Sequence, residues 1–224
     1  MYTTQASMKL FDSATHGADA ELFLVEGDSA ARSVAALRNE RTQAVLPLQG
    51  KPLNAWKASA AKVAASPLYR QLADALGARD ATTDAPRVGD ALRFGRVLLL
   101  FDPDADGVHI CALMLLYFQR WMPALLDAGR VVVIRAPMFA LTHPRLPDPA
   151  HAWSQEHAHA ITAQWRRDGL DGTDLHRYLG LGSIPPQVLA THCIDPRTRT
   201  SRVAGREDVA AVQAAFGYAQ HAPG

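Results

Sequence analysis

The stretch Arg96-Val97-Leu98-Leu99-Leu100-Phe101-Asp102-Pro103-Asp104-Ala105-Asp106-Gly107 runs from an apolar segment straight into three aspartates at alternate positions. The apolar part predicts a strand covered on both faces, because a half-exposed strand would alternate apolar with polar residues. The acidic part predicts the turn at its carboxyl end. Pro103 stiffens that turn, and Gly107 is expected to free the backbone as it enters a helix over 108–126. A strand at 131–135 follows. Upstream, ELFLV at 21–25 reads as another buried strand, entering the turn Glu26-Gly27-Asp28-Ser29. Ser29 is a good N-cap for a helix over 30–39. AVLPL at 44–48 is a further strand, Gly50 turns the chain, and the alanine-rich segment 57–76 reads as a helix. Strands alternating with helices imply a mostly parallel sheet of about four strands, and such sheets bind ligands outside the strands' carboxyl ends. Glu26 and the aspartates at 102, 104 and 106 belong to ends of that kind.

The remaining segments read differently. GARDATTDAPRVG at 77–89 is polar and predicts a surface loop. LTHPRLPDPA at 141–150 holds three prolines and predicts a linker. A helix is expected over 153–167, a glycine-punctuated loop over 177–182, and a short helix near 186–191.

Three carboxylates so close together raise one another's pKa and destabilise the fold unless something neutralises them. A hard cation with oxygen ligands does this, and Mg²⁺ typically takes one or two carboxylates plus waters and phosphate oxygens. Two other readings compete. A calcium loop of the EF-hand type needs a bidentate glutamate at its twelfth position, where this chain has Leu113, and a helix ahead of the loop, where this chain has a strand. A solvated acidic turn would favour the start of the following helix, but it leaves the second acid, Glu26 at another strand end, unexplained.

Composition sets wider bounds. The 224 residues are 48% hydrophobic and 20% charged, ordinary for a globular protein. No apolar run approaches the roughly 20 residues of a membrane helix. Residues 1–10 lack the pattern of a secretory signal, so the expected place is the cytoplasm. Cys111 and Cys193 form no Cys-x-x-Cys pair and are expected to be thiols. The net charge of +1 does not announce a nucleic-acid binder, but two local clusters are basic. One comprises Arg32, Arg38, Arg41, Lys51, Lys57 and Lys62; the other Arg197, Arg199, Arg202 and Arg206. Either could face phosphates or be plain solvated charge.

Several short motifs stand in one order: Glu26-Gly27-Asp28-Ser29-Ala30, Pro47-Leu48-Gln49-Gly50-Lys51, Asp102-Pro103-Asp104-Ala105-Asp106-Gly107, Ala136-Pro137-Met138-Phe139, Arg177-Tyr178 and Gly180-Leu181-Gly182. In that order they resemble the TOPRIM domain of bacterial gyrase B and topoisomerase IV B subunits, from about Lys9 to about Phe216. The resemblance implies an α/β, Rossmann-like TOPRIM fold over 1–140 and a small, mainly helical tail over 141–224. It implies Mg²⁺, with Mn²⁺ or Ca²⁺ able to substitute, held by Glu26, Asp102, Asp104 and Asp106. Glu26, Lys51 and Asp102 would be the catalytic residues, and Lys51, Arg177 and Ser29 would face DNA. Ser29 could equally be a plain N-cap, and Lys51 an exposed loop lysine.

The partners implied are DNA, an A-type breakage-reunion subunit carrying the nucleophilic tyrosine, and a separate ATPase subunit. The segment ahead of Glu21 is too short for the ATPase and transducer domains that the family's B subunits carry, and no P-loop appears, so the chain is expected not to act alone. Its expected place is the nucleoid. The tyrosines Tyr2, Tyr69, Tyr117, Tyr178 and Tyr218 match no nucleophile and read as core or surface aromatics.

The chain departs from the family pattern at Ala31 and Arg32, where glycines are usual, and at Gln49, Cys111, Leu179 and Ser183, where charged residues are usual. The four carboxylates survive while several supporting charges do not. A catalytically degenerate module that binds or regulates gyrase or topoisomerase IV is therefore the competing reading. His109 reads as a helix-surface residue or one just behind the metal; His143, His151, His157 and His159 read as surface residues.

Overall fold

The computed structural model describes residues 10–78 and 92–218. In chain order, the first half comprises β1 (Gly17–Glu26), α1 (Gly27–Ala35), β2 (Gln43–Leu48), α2 (Ala60–Ala65), α3 (Pro67–Leu76), β3 (Phe94–Leu99), α4 (Ala105–Trp121), α5 (Pro123–Asp127) and β4 (Val131–Ile134). The rest comprises β5 (Phe139–Thr142), β6 (Ala150–Ala152), α6 (Gln155–Arg167), β7 (Asp174–Arg177), α7 (Pro186–Leu189), β8 (Ser201–Val203) and α8 (Arg206–Ala215). The polar loop expected at 77–89 falls almost wholly outside the described residues, as does Tyr2.

The main sheet has the order β2-β1-β3-β4-β8. Its first four strands are mutually parallel, as expected, and β8 from the tail adds an antiparallel fifth. Alternation along the central strands explains why their apolar runs are unbroken. Leu22 and Leu24 of β1, with Val97 and Leu99 of β3, face a core built with α3, α4 and α5. Phe23 and Val25, with Leu98 and Leu100, face a second core under α1 and the tail residues Tyr178, Leu181, Ile184 and Leu189. A strand buried on both sides has no polar positions to spare.

Two expected helices are broken by proline. The segment 57–76 divides at Ser66-Pro67 into α2 and α3, and 108–126 divides at Met122-Pro123 into α4 and α5. In each case proline opens the second helix, where its missing N–H costs nothing, and cannot continue the first. The supposed linker 141–150 is also structured. It starts in β5 and ends in β6, two strands of a separate sheet of order β6-β5-β7 backed by α6. His143 closes that turn: its ring accepts from the Arg145 N–H at 3.1 Å and its other nitrogen lies 2.9 Å from the Asp171 carbonyl. It is buried, at 7% exposure, and not the surface residue its sequence context suggested. Among the described residues, no helix is long and apolar enough to cross a membrane.

Candidate metal centre

Strand register assembles the site. Glu26 ends β1 opposite Leu48, the last residue of β2. Leu24 pairs with Leu99 of β3, and the Leu100 N–H donates to the Leu24 carbonyl at 3.0 Å. Three neighbouring parallel strands therefore finish at one edge. They release Glu26, the Gln49–Lys51 turn and the Asp102–Asp106 turn beside one another, as the rule for ligand sites in such sheets anticipates.

Each carboxylate has its own surroundings. Asp102 is half-buried and accepts the Leu181 N–H at 2.8 Å. Burial pushes its pKa up, the Leu181 N–H works against that, and the Asp104 charge adds to it. Asp104 caps α4, accepting from the Gly107 N–H at 2.8 Å. Asp106 is exposed and pairs with the Lys51 Nζ at 3.0 Å. Burial raises the pKa of Glu26, and the charges of Asp102, Asp104 and Asp106 raise it further against the opposing charge of Lys51. The four acids thus share one field. Yet among the described residues no three acidic, histidine or cysteine side chains are gathered at ligand spacing. Asp102, Asp104 and Asp106 each meet a protein partner: the Leu181 N–H, the Gly107 N–H and the Lys51 ammonium. Gly107 is required for space, not for an unusual backbone angle, because a Cβ there would sit 2.0 Å from the Asp102 carbonyl oxygen.

Donor chemistry fits a hard divalent ion. The groups are carboxylate oxygens, their mutual repulsion leaves Glu26 short of positive charge, and the partners of Asp104 and Asp106 are exposed or local. A hydrated ion needing one or two direct carboxylates suits that set.

The other expected site residues divide. Lys51 reaches the cluster through Asp106. Ser29 does not cap its helix: α1 begins at Gly27 with Glu26 in the cap position, so Ser29 lies inside the first turn, against the Gly182 turn. Arg177 ends β7, paired in register with Phe139, just ahead of the Tyr178–Leu181 loop. His109 stacks on Phe216, with ring centroids 5.4 Å apart, and belongs to the α4–α8 packing. Tyr69 and Tyr117 stack at 4.2 Å as buried core aromatics. Burial pushes the Cys111 thiol up to about 12, and this neutral side chain lines an apolar cleft of about 510 Å³ beside Asp102 and Pro103.

Every arginine of the second basic cluster is paired with an acid. Arg197 pairs with Asp195, Arg202 with Asp208 and Arg206 with Asp127. Arg199 is buried in a two-pronged pair with Glu21, at 2.8 and 2.6 Å. Each charge had a local or distant acid to meet, which a count of arginines in sequence does not show. The Leu181 and Gly180 contacts with Asp102 were also missed, because backbone approach leaves no signature except the glycine itself.

Comparison with known proteins agrees with this architecture. Residues 21–136 match the Toprim domain family. The chain is 34% identical to the B subunit of DNA topoisomerase 4 from Caulobacter vibrioides, over 86% of this chain and 27% of the relative. It is 32% identical to the B subunit of DNA gyrase from Clostridium acetobutylicum, over 96% of this chain and 33% of the relative. The corresponding DNA gyrase chain of Thermotoga maritima is 34% identical over 85% of this chain and 29% of its own length. The chain therefore spans about a third or less of the relatives it matches. Toprim domains bind divalent metal ions generally. A parallel sheet whose neighbouring strands end in one glutamate and three aspartates is the arrangement on which the match falls, and the chain belongs to the Toprim domain family.

Proposed function

We propose that this chain is the metal-binding component of a type II DNA topoisomerase, serving DNA cleavage and religation by a partner subunit's tyrosine. The observation that carries the reading is the shared field of four acids at adjacent strand ends, in which Glu26 is pushed up by Asp102, Asp104 and Asp106. Residues 1–140 would form the metal-binding domain and 141–224 its tail. Glu26, Asp102 and Asp104 would hold Mg²⁺, with Asp106 completing the set and Mn²⁺ or Ca²⁺ as substitutes. The ion, when bound, supplies Lewis-acid charge for phosphate oxygens.

The chain's own residues supply the rest. Glu26, with its proton affinity raised, suits exchange of a proton with the 3′ oxygen that leaves as tyrosine forms its phosphate ester. Lys51, 47% exposed beside Asp106, would turn its charge to the DNA backbone. Ser29 and Arg177 would add contacts along the same edge. The partners are DNA, an A-type breakage-reunion subunit and a separate ATPase subunit, and the place of work is the cytoplasmic nucleoid.

The test is plasmid cleavage by the chain mixed with an A-type subunit and Mg²⁺. Cleavage that Glu26→Ala abolishes supports the proposal; no cleavage with any A-type subunit counts against it. A second reading has its own support. Lys51 is already paired with Asp106, and Leu179 is 86% exposed where the family usually has lysine. A degenerate module that regulates gyrase or topoisomerase IV would bind the A-type subunit without cleavage, and Asp104→Ala would leave that binding unchanged.

A further inference from the structure

The tail returns to the acidic turn through one backbone contact. Leu181 N–H donates to Asp102 Oδ1 at 2.8 Å. The preceding residue, Gly180, comes closer than any side chain allows. A Cβ there would lie 2.8 Å from Asp102 Oδ2, 3.2 Å from Cγ and 3.4 Å from Oδ1. Its φ of +145° also strains any residue but glycine.

The loop that makes this contact is held on both sides. The Ser183 hydroxyl donates to the Gly180 carbonyl at 2.8 Å and accepts the Leu179 N–H at 2.8 Å. Tyr178, Leu181 and Ile184 are buried in the second core. The loop is thus fastened to the body of the domain, and a carboxylate held against it gives up rotamer freedom before any ligand arrives.

We propose that Gly180 is a positioning residue for Asp102, letting the tail backbone pack against the carboxylate so that one conformation is presented to a divalent cation. This rests on the reading that Asp102 helps to hold that cation. Residues that orient a metal ligand from behind commonly change affinity by about ten-fold or more when altered. The tail would then be part of the metal centre and not only a neighbour of it.

The test is Mn²⁺ titration of the intact chain, with free Mn²⁺ read by electron paramagnetic resonance and folding read by circular dichroism melts. Gly180→Ala is expected to weaken Mn²⁺ binding by about ten-fold. Gly172→Ala is the control: Gly172 has a φ of +85° with open space around it, so it carries backbone strain without the contact. Its binding should stay within about two-fold of the parent's, since strain alone acts on stability. Ser183→Ala loosens the loop without touching Asp102 and should weaken binding beyond the range of the control, so it carries the test if Gly180→Ala does not fold. Parent-like Mn²⁺ affinity in Gly180→Ala, or in Ser183→Ala where that variant must stand in, overturns the positioning role. Asp102→Asn separates the two levels. If it binds Mn²⁺ as the parent does, the metal reading is wrong and the positioning role goes with it. If it loses Mn²⁺ while Gly180→Ala keeps it, only the positioning role is wrong.

Discussion

Glu21 and Glu26 sit five residues apart on the same strand, and their surroundings drive them in opposite directions. Glu21 is nearly enclosed. Burial would raise its pKa, but the Arg199 hydrogen bonds, the Gln43 amide at 2.9 Å and the charges of Arg199 and Arg96 outweigh burial and hold it below the usual carboxylate range. Glu26 meets burial and three like charges with only Lys51 opposing, and is raised. One glutamate joins the tail to the sheet. The other is left under-compensated at the mouth of the strands. The contrast is one of compensation: Glu21 is fully met by partners of opposite charge, and Glu26 is left in deficit, the condition that the proposed metal site would relieve.

Breaking the compensated end should have the largest effect. Arg199→Met leaves Glu21 buried without its partner and should cost about 3–5 kcal/mol in urea denaturation. Adding Glu21→Leu to that variant should recover much of the loss, because an apolar pair needs no desolvation of charge. A cost below about 1 kcal/mol for the single variant would mean that the pair does not fasten the tail.

The same pair predicts a pH dependence. Glu21 has a lowered pKa in the folded state, so its contribution is fully present above its ordinary value near 4.5. It is lost as pH falls through the depressed folded value. Urea midpoints measured from neutral pH downward should fall more steeply for the parent than for Glu21→Gln; parallel curves would contradict the assignment.

At the other end the sign reverses. Without divalent ions, Glu26→Gln removes a repelled charge and should stabilise the chain, by about 0.5–1 kcal/mol after solvent screening. A thermal melt in the presence of a chelator checks this, and destabilisation would show that Glu26 is compensated after all. The smallest effect belongs to Lys51→Ala. Its pair with Asp106 is exposed on both sides, so stability should change by no more than about 0.5 kcal/mol. A larger loss would make Lys51 a structural residue and remove it from the candidate site.

Much of this was readable along the chain. The unbroken run at 97–101 determined a strand covered on both faces, because a strand's own alternation reports which sides are dry. That the acids at the carboxyl ends of two such strands would meet was also readable, since parallel strands bring those ends together. The breaks at Pro67 and Pro123 were missed, because the alanine-rich and apolar runs around them read as continuous helices.

Only the tertiary structure decided how the tail is used. It put β8 on the sheet edge, buried Arg199 against Glu21 across 178 positions of sequence, and set Gly180 against Asp102. It also turned three of the four acids toward protein partners. Local patterns encode burial and turns because those depend on neighbouring residues. Charge compensation and backbone approach depend on which distant segments meet, and packing alone selects them.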